Sequence, residues 1–154
     1  MNENRLLIAD YCDDIRHEIG YKYSMMGCYS GELILDALPS VLPKLCASVT
    51  ALTPIGNPFK KLVFRAFLND TLLLENEIPP DQLESNQKTL QENAESESTR
   101  MSLKIQLTFT PLIVETDSTL RVEAETEDGV LNGSRIKLRK RTDSDPPLIQ
   151  QFTQ

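Results

Sequence analysis

The stretch MSLKIQLTFT, Met101–Thr110, decides the fold. Leu103, Ile105, Leu107 and Phe109 fall on one side of an extended chain, and Ser102, Lys104, Gln106 and Thr108 on the other. That two-residue period is the signature of a β-strand with one face buried and one in water. The same rhythm recurs on both sides. Upstream, KLCASVTAL (Lys44–Leu52) puts Leu45, Ala47, Val49 and Ala51 on one face. KKLVFRAFL (Lys60–Leu68) sets Leu62, Phe64, Ala66 and Leu68 against Lys61 and Arg65. Downstream, TLRVEAETE alternates Leu120, Val122 and Ala124 with Arg121, Glu123 and Glu125. SRIKLRKR alternates Ile136 and Leu138 with Arg135, Lys137 and Arg139.

Turn chemistry separates these runs. Asn69-Asp70 predicts a turn into TLLLENEI, and Gly56 and Pro58 predict another in TPIGNPF. Near the N-terminus RLLIADYC (Arg5–Cys12) and YKYSMMGCY (Tyr21–Tyr29) read as strands joined through the link DDIRHEIG, and GELILDAL as a short strand closed by Pro39 and Pro43. About eight short strands with little helix predict an all-β antiparallel sandwich. A single domain is expected over residues 1–141, with 142–154 as a tail in which Leu148, Ile149 and Phe152 are candidates to dock on the core. The polar segment Pro79–Thr99 is either an exposed helix, opening at Pro80-Asp81 with Leu83, Leu90 and Ala94 as a thin apolar stripe, or a mobile crossover.

The dipeptide Asn132-Gly133 invites a two-residue turn between the last two strands. That register would put odd residues opposite even ones and scatter Leu120 and Val122 among charges. A register in which partner numbers sum to 262 restores one apolar face. It predicts a loop over Asp128–Ser134 and sets Glu123, Glu125 and Glu127 opposite Arg139, Lys137 and Arg135. On that reading the basic run KLRKR, otherwise a nucleic-acid candidate through Lys137, Arg139, Lys140 and Arg141, is answered by its neighbour.

Composition narrows the function classes. The 154 residues are 40% hydrophobic and 25% charged, with no Trp, so aliphatic side chains carry the core. A net charge of −7 disfavours general nucleic-acid binding. The start MNENRLLIADY lacks the basic and apolar regions of a secretory signal, no stretch has the length of a membrane span, and a cytoplasmic location is expected. Cys12, Cys28 and Cys46 are odd in number, lie in apolar-rich segments and lack metal-type spacing; they are expected to be buried, reduced thiols. Met25-Met26 is expected to fill the core. No nucleotide-binding glycine pattern, metal site, cofactor or small-molecule ligand is predicted.

The densest chemistry lies in Tyr11–Tyr29, YCDDIRHEIGYKYSMMGCY. Asp13, Asp14, Arg16, the sole histidine His17, Glu18 and Lys22 sit beside Tyr21, Tyr23 and Tyr29, three tyrosines of one strand parity. One reading makes this a solvated hairpin tip whose tyrosines and charges contact another protein or a second copy, with Lys22 pairing to Asp14 or Glu18. The alternative takes Asp13, Asp14, His17 and Glu18 as the centre of a small metal-dependent or thiol hydrolase, with Cys12 or Cys28 as nucleophile.

The run from Leu6 to Leu33, with DDIRHE followed by a KxSxxGxY-like strand, resembles the start of a family of small bacterial and prophage-encoded proteins of unknown function. The residues that carry the likeness are Asp13, Asp14, Arg16, Glu18, Lys22, Ser24, Gly27 and Tyr29, followed by LPSVLPKL. Tyr21 stands where the pattern has a second glycine. The resemblance implies a compact β-sandwich in an intracellular bacterial or phage setting, and it carries no activity, substrate or cofactor. The expectation is therefore a non-enzymatic protein-binding or accessory module.

Overall fold

A computed structural model describes residues 4–145. Among them are eleven strands and one helix, β1 (Leu6–Glu18), β2 (Lys22–Cys28), β3 (Glu32–Leu35), β4 (Ser40–Leu42), β5 (Leu45–Pro54), β6 (Leu62–Leu68), β7 (Thr71–Glu77), α1 (Pro80–Glu92), β8 (Arg100–Phe109), β9 (Leu112–Val114), β10 (Ser118–Thr126) and β11 (Gly129–Lys140). They build an all-β sandwich. One sheet has the order β2-β1-β5-β8 and the other β3-β11-β10-β6-β7; β4 and β9 form a separate pair. Those two strands, three residues each, are too short to show a period, and they raise the count from nine to eleven.

The alternation read from the sequence produces the core. Leu45, Ala47, Val49 and Ala51 from β5 lie fully inside, with Leu103, Leu107 and Phe109 from β8. The second sheet supplies Leu62, Phe64 and Ala66 from β6, Leu120, Val122 and Ala124 from β10, and Ile136 and Leu138 from β11. Ile105 and Leu68 pack against this cluster while half-buried. Apolar faces that water rejects are thereby pressed together, each large side chain contributing about 1.5–3 kcal/mol on burial.

The β10–β11 pairing departs from the expected register. The tight turn is at Glu127-Asp128, with Thr126 facing Gly129, so Asp128–Ser134 is mostly strand rather than loop. Pairs near the turn sum to 255 and those beyond it to 256, with a bulge between Arg121 and Glu123. The bulge moves the distal half into the even register that puts Leu120 opposite Ile136. Gly133 belongs to this irregularity, not to a turn. A Cβ there would lie 2.8 Å from the Val122 carbonyl oxygen and 3.2 Å from Leu7 Cδ2.

Helix α1 joins β7, an edge of one sheet, to β8, an edge of the other. Pro80 opens it and Asp81 sits in its first turn, as its sequence suggests. Leu83 is buried in the core but Leu90 is exposed, so only the first residue of the apolar stripe seats the helix. Gln87, one turn after Leu83, is the other anchor. Phe59 N donates to its Oε1, and its Nε2 donates to Phe59 O, both at 2.7 Å. A primary amide thus completes the backbone of a buried residue as a neighbouring strand would.

Arg5 is a second polar anchor inside the apolar frame, 3% exposed. Its guanidinium donates to Thr53 Oγ1, Asn57 O and Pro58 O, each at 3.1 Å, to Glu127 Oε1 at 2.7 Å and to Asp128 Oδ2 at 3.2 Å. It also stacks 4.5 Å from the Phe59 ring centre. One side chain therefore ties the start of β1 to the Pro54–Pro58 turn and to the β10–β11 turn.

Candidate functional site

Strand β1 belongs to two ladders. Leu6–Cys12 pair with β5, and Cys12–Glu18 pair with β2. Asp13–Glu18 are therefore strand rather than connecting loop, and the true loop is only Ile19-Gly20-Tyr21, closed by the Glu18–Lys22 pair. The outer half of this hairpin does not continue in the plane of the sheet. Tyr23, opposite His17, shares a hydrogen bond of 3.2 Å with Ser48, which lies opposite Asp10. His17 and Asp10 are seven positions apart, roughly 23 Å along a straight strand, well beyond the reach of a tyrosine. The hairpin bends back across the outer face of its own sheet, and the residues beneath it are buried although they point away from the core: Cys12, Cys46 and Ser48.

The bend is located by Gly27, which has a φ of +67°. A Cβ there would lie 2.1 Å from Asp13 Oδ2, so only glycine lets the Asp13 carboxylate sit against β2. Tyr29 donates its hydroxyl to that carboxylate. Burial first, then this bond and the Asp13 charge, hold the Tyr29 phenol well above its ordinary range.

The candidate residues are brought to one hairpin but not to one point. Asp14 is held by the Lys44 ammonium and by Arg16, whose Nε is 3.7 Å away. The Lys44 hydrogen bond keeps Asp14 below the usual carboxylate range against its partial desolvation, with the Lys44 charge, the Ile15 N–H and Arg16 adding to it; the same bond raises Lys44. Glu18 accepts from Ser24 Oγ at 3.1 Å. Lys22 stands opposite Glu18 but makes no ion pair among the described residues, contrary to the expected Asp14 or Glu18 link. Lys44 takes that role because the β1–β5 register, continued one step past Cys12–Cys46 on the same face, puts Asp14 opposite Lys44. His17, Glu18, Tyr21, Lys22 and Tyr23 border an open cleft of about 730 Å³ completed by Lys104 and Gln106 of β8, with the Lys104 ammonium 6.0 Å from the Tyr23 ring centre. Among the described residues, no three His, Cys, Asp or Glu side chains are grouped so as to hold a metal ion.

Three further expectations change. The tyrosines do not share one environment: Tyr23 and Tyr29 are half-buried, whereas Tyr21 lies in the loop and is fully exposed, as is Ile19. Met25 and Met26 are half-buried on the hairpin and contribute nothing to the core cluster. Cys28 is exposed at the edge of its sheet, not buried. Signals for the bend were present in the sequence as Gly27 facing Asp13 across a hairpin, but they become legible only once the register is known.

The basic strand finds partners other than the expected glutamates. Arg139 is gripped by Asp145 at 2.6 Å and Glu32 at 3.1 Å, and these bonds, Asp145 foremost, raise it further. Arg141 pairs with Asp36 at 3.2 Å. Glu123 meets Arg121 of its own strand, while Glu125 is held on the other side by Lys61, just before β6, and by Arg65 of β6. Lys137 and Lys140 make no ion pair among the described residues. Asp145, in the segment read as tail, caps Arg139 and accepts from Thr142 N at 2.7 Å; Leu148, Ile149 and Phe152 lie outside the described residues.

No protein-family model and no curated protein sequence matches the chain. Among the described residues no helix is long and apolar enough to cross a membrane.

Proposed function

We propose that the chain is a non-enzymatic protein-binding module with an accessory role in a bacterial or phage cytoplasm, and that the tip of the β1–β2 hairpin is its contact. Tyr21 carries the reading. Its φ is +59°, in the left-handed region where a bulky side chain costs roughly 1–2 kcal/mol and glycine costs nothing. Its ring is fully exposed and makes no hydrogen bond among the described residues, so no contact among them repays that strain. A residue held in such a conformation and left wholly in water points to a contact outside the molecule. Ile19, 96% exposed, stands two residues away. Together they form an apolar tip with Arg16, His17, Glu18 and Lys22 as a polar rim, the pattern of a small interface core and its border. The bacterial or phage setting rests on the resemblance of Asp13–Tyr29. The hydrolase alternative has less support, because Asp13, Asp14 and Glu18 each engage a different partner.

The test is a photoreactive phenylalanine analogue at position 21, expressed in the host cell, with the same residue at Asp70 in the β6–β7 turn as control. The expected result is a discrete adduct from position 21 and none from position 70; an adduct of twice the chain's mass identifies the partner as a second copy. With the probe moved to position 19, Tyr21→Gly should lose the adduct while gaining about 1 kcal/mol in urea unfolding. Uncrosslinked protein from position 21, or equal adducts from both positions, overturns the reading.

A further inference from the structure

Three cysteines distant in sequence become neighbours in the sheet. Cys12 on β1 faces Cys28 on β2 and Cys46 on β5. Directly opposed residues share a face, so the three thiols form a row across three strands, and none is in a disulfide. Exposure along the row is graded: Cys46 and Cys12 are sealed beneath the folded-back hairpin, while Cys28 stands at the open edge. The backbone specifies the kind of pair that Cys12 and Cys28 make. Tyr29 N donates to Tyr11 O at 2.9 Å, which marks Tyr11–Tyr29 as a hydrogen-bonded pair. The next pair, Cys12–Cys28, is then of the non-hydrogen-bonded kind, with Cα atoms about 4.5 Å apart and side chains at their closest. Disulfides span Cα separations of about 4.4–6.8 Å, so bridging this pair asks for little backbone movement.

We propose that Cys28 and Cys12 are a redox-active pair, closing to a cross-strand disulfide by exchange with a small-molecule disulfide such as oxidised glutathione. In the first step the Cys28 thiolate, its proton lost to solvent, attacks one sulfur of the oxidant. The oxidant's S–S bond breaks, one glutathione thiolate leaves, and Cys28 carries the other half as a mixed disulfide. In the second step Cys12 loses its proton and attacks Cys28 Sγ, releasing the second glutathione. Two protein thiols are oxidised by two electrons, and one glutathione disulfide is reduced to two thiols. Burial, followed by the neighbouring Cys46 and Cys28, raises the Cys12 thiol to about 11. This assigns initiation to the exposed Cys28 and makes closure the slow step. The bridge would pin β2 to β1 at the base of the hairpin, beside the Gly27 bend, whatever the hairpin tip binds.

The experiment exposes reduced, native protein to oxidised glutathione, quenches with acid, alkylates, and reads intact mass and peptide map over time. A transient glutathione adduct on Cys28 should give way to a Cys12–Cys28 bridge with the loss of two hydrogens. Cys46→Ser should leave this course unchanged. Cys28→Ser, at an exposed position, should slow the reaction of the native protein about tenfold or more, while all thiols react equally in denaturant. Cys12→Ala should stop at the adduct; if that variant fails to fold, the Cys28 and Cys46 variants still decide. A persistent Cys28 adduct in the wild type, a Cys28-linked dimer or a Cys12–Cys46 bridge as the final product overturns the proposal, as does a Cys28→Ser protein that oxidises at the wild-type rate.

Discussion

Replacing Arg5 by Met should cost about 3 kcal/mol. The figure follows from what the guanidinium leaves behind. Removing one partner of a buried ion pair costs about 3–5 kcal/mol when the other charge stays uncompensated. Here the side chain is 1% exposed, but Glu127 and Asp128 keep 22% and 31% of theirs in water. Glu127 also retains the N–H groups of Lys60 and Lys61. Both facts place the cost at the lower end of that range. Met recovers the packing of the arginine stem, so the loss is mainly that of the donors to Asn57 O, Pro58 O and the two carboxylates. With a urea slope of about 1–3 kcal/mol per molar, the unfolding midpoint should fall by about 1–3 M at unchanged slope. Glu127→Gln should cost about 1 kcal/mol, because Arg5 keeps Asp128 and two carbonyls, and a double-mutant cycle should return a coupling of about 1–2 kcal/mol.

Acid supplies an independent check on the same pair. Burial pushes the Glu127 carboxyl up, but the Arg5 bond and the backbone N–H bonds outweigh it and leave it below its ordinary value of 4.5. A depressed folded pKa contributes stability that is complete above the ordinary value and lost as pH falls through the folded one. The wild type should therefore lose more stability than Arg5→Met on acidification below about pH 4.5, and their unfolding curves should converge. A midpoint shift worth less than about 1 kcal/mol, with parallel pH profiles, would class the contact with ordinary surface pairs and refute the anchoring role.

Gln87→Leu keeps the volume but strips both partners from the buried Phe59 backbone; a loss of about 2–4 kcal/mol is expected in urea unfolding, with early hydrogen exchange at the Phe59 amide. Gly133→Ala should cost about 1–3 kcal/mol, because the added carbon meets the Val122 carbonyl at 2.8 Å and backbone must move; a melting temperature equal to the wild type would remove the close-approach account of that glycine.

The core was legible because its signal is local. A strand buries every second residue, so Leu45 to Ala51 and Leu120 to Ala124 declare their inner face without reference to any partner. Polar anchors carry no such signal. Gln87 lies in the most hydrophilic segment, and nothing near it announces that Phe59, twenty-eight positions away, lacks a neighbouring strand. Arg5 stands one residue before a run of aliphatics and reads as an ordinary flanking charge. The β10–β11 register failed for a related reason. Opposite charges on adjacent strands suggest each other as partners, but every central strand has two neighbours, and Glu125 turns to Lys61 and Arg65. Charge complementarity within one hairpin underdetermines pairing; the apolar face and the bulge opposite Gly133 decide it.

The hairpin shows the same limit at the candidate site, and also why the site is built as it is. Continued flat, a thirteen-residue β1 would run past the start of β5 and leave that side of its outer half without a strand partner, a template for unwanted strand addition. Bending at Gly27 instead lays the hairpin over β5 and β8, where Tyr23 finds Ser48 and Lys104. Folding back has two consequences that follow from one another. It seals Cys12 and Cys46 while leaving Cys28 at the rim, and it fixes the hairpin from below while Ile19 and Tyr21 of its loop stay fully exposed. A free arm would have to be ordered on binding, at about 1–2 kcal/mol for each residue's backbone. On the binding role proposed above, a loop anchored at Tyr23 would present Tyr21 with most of that entropy already lost, which is the condition under which so small an apolar tip makes a useful contact.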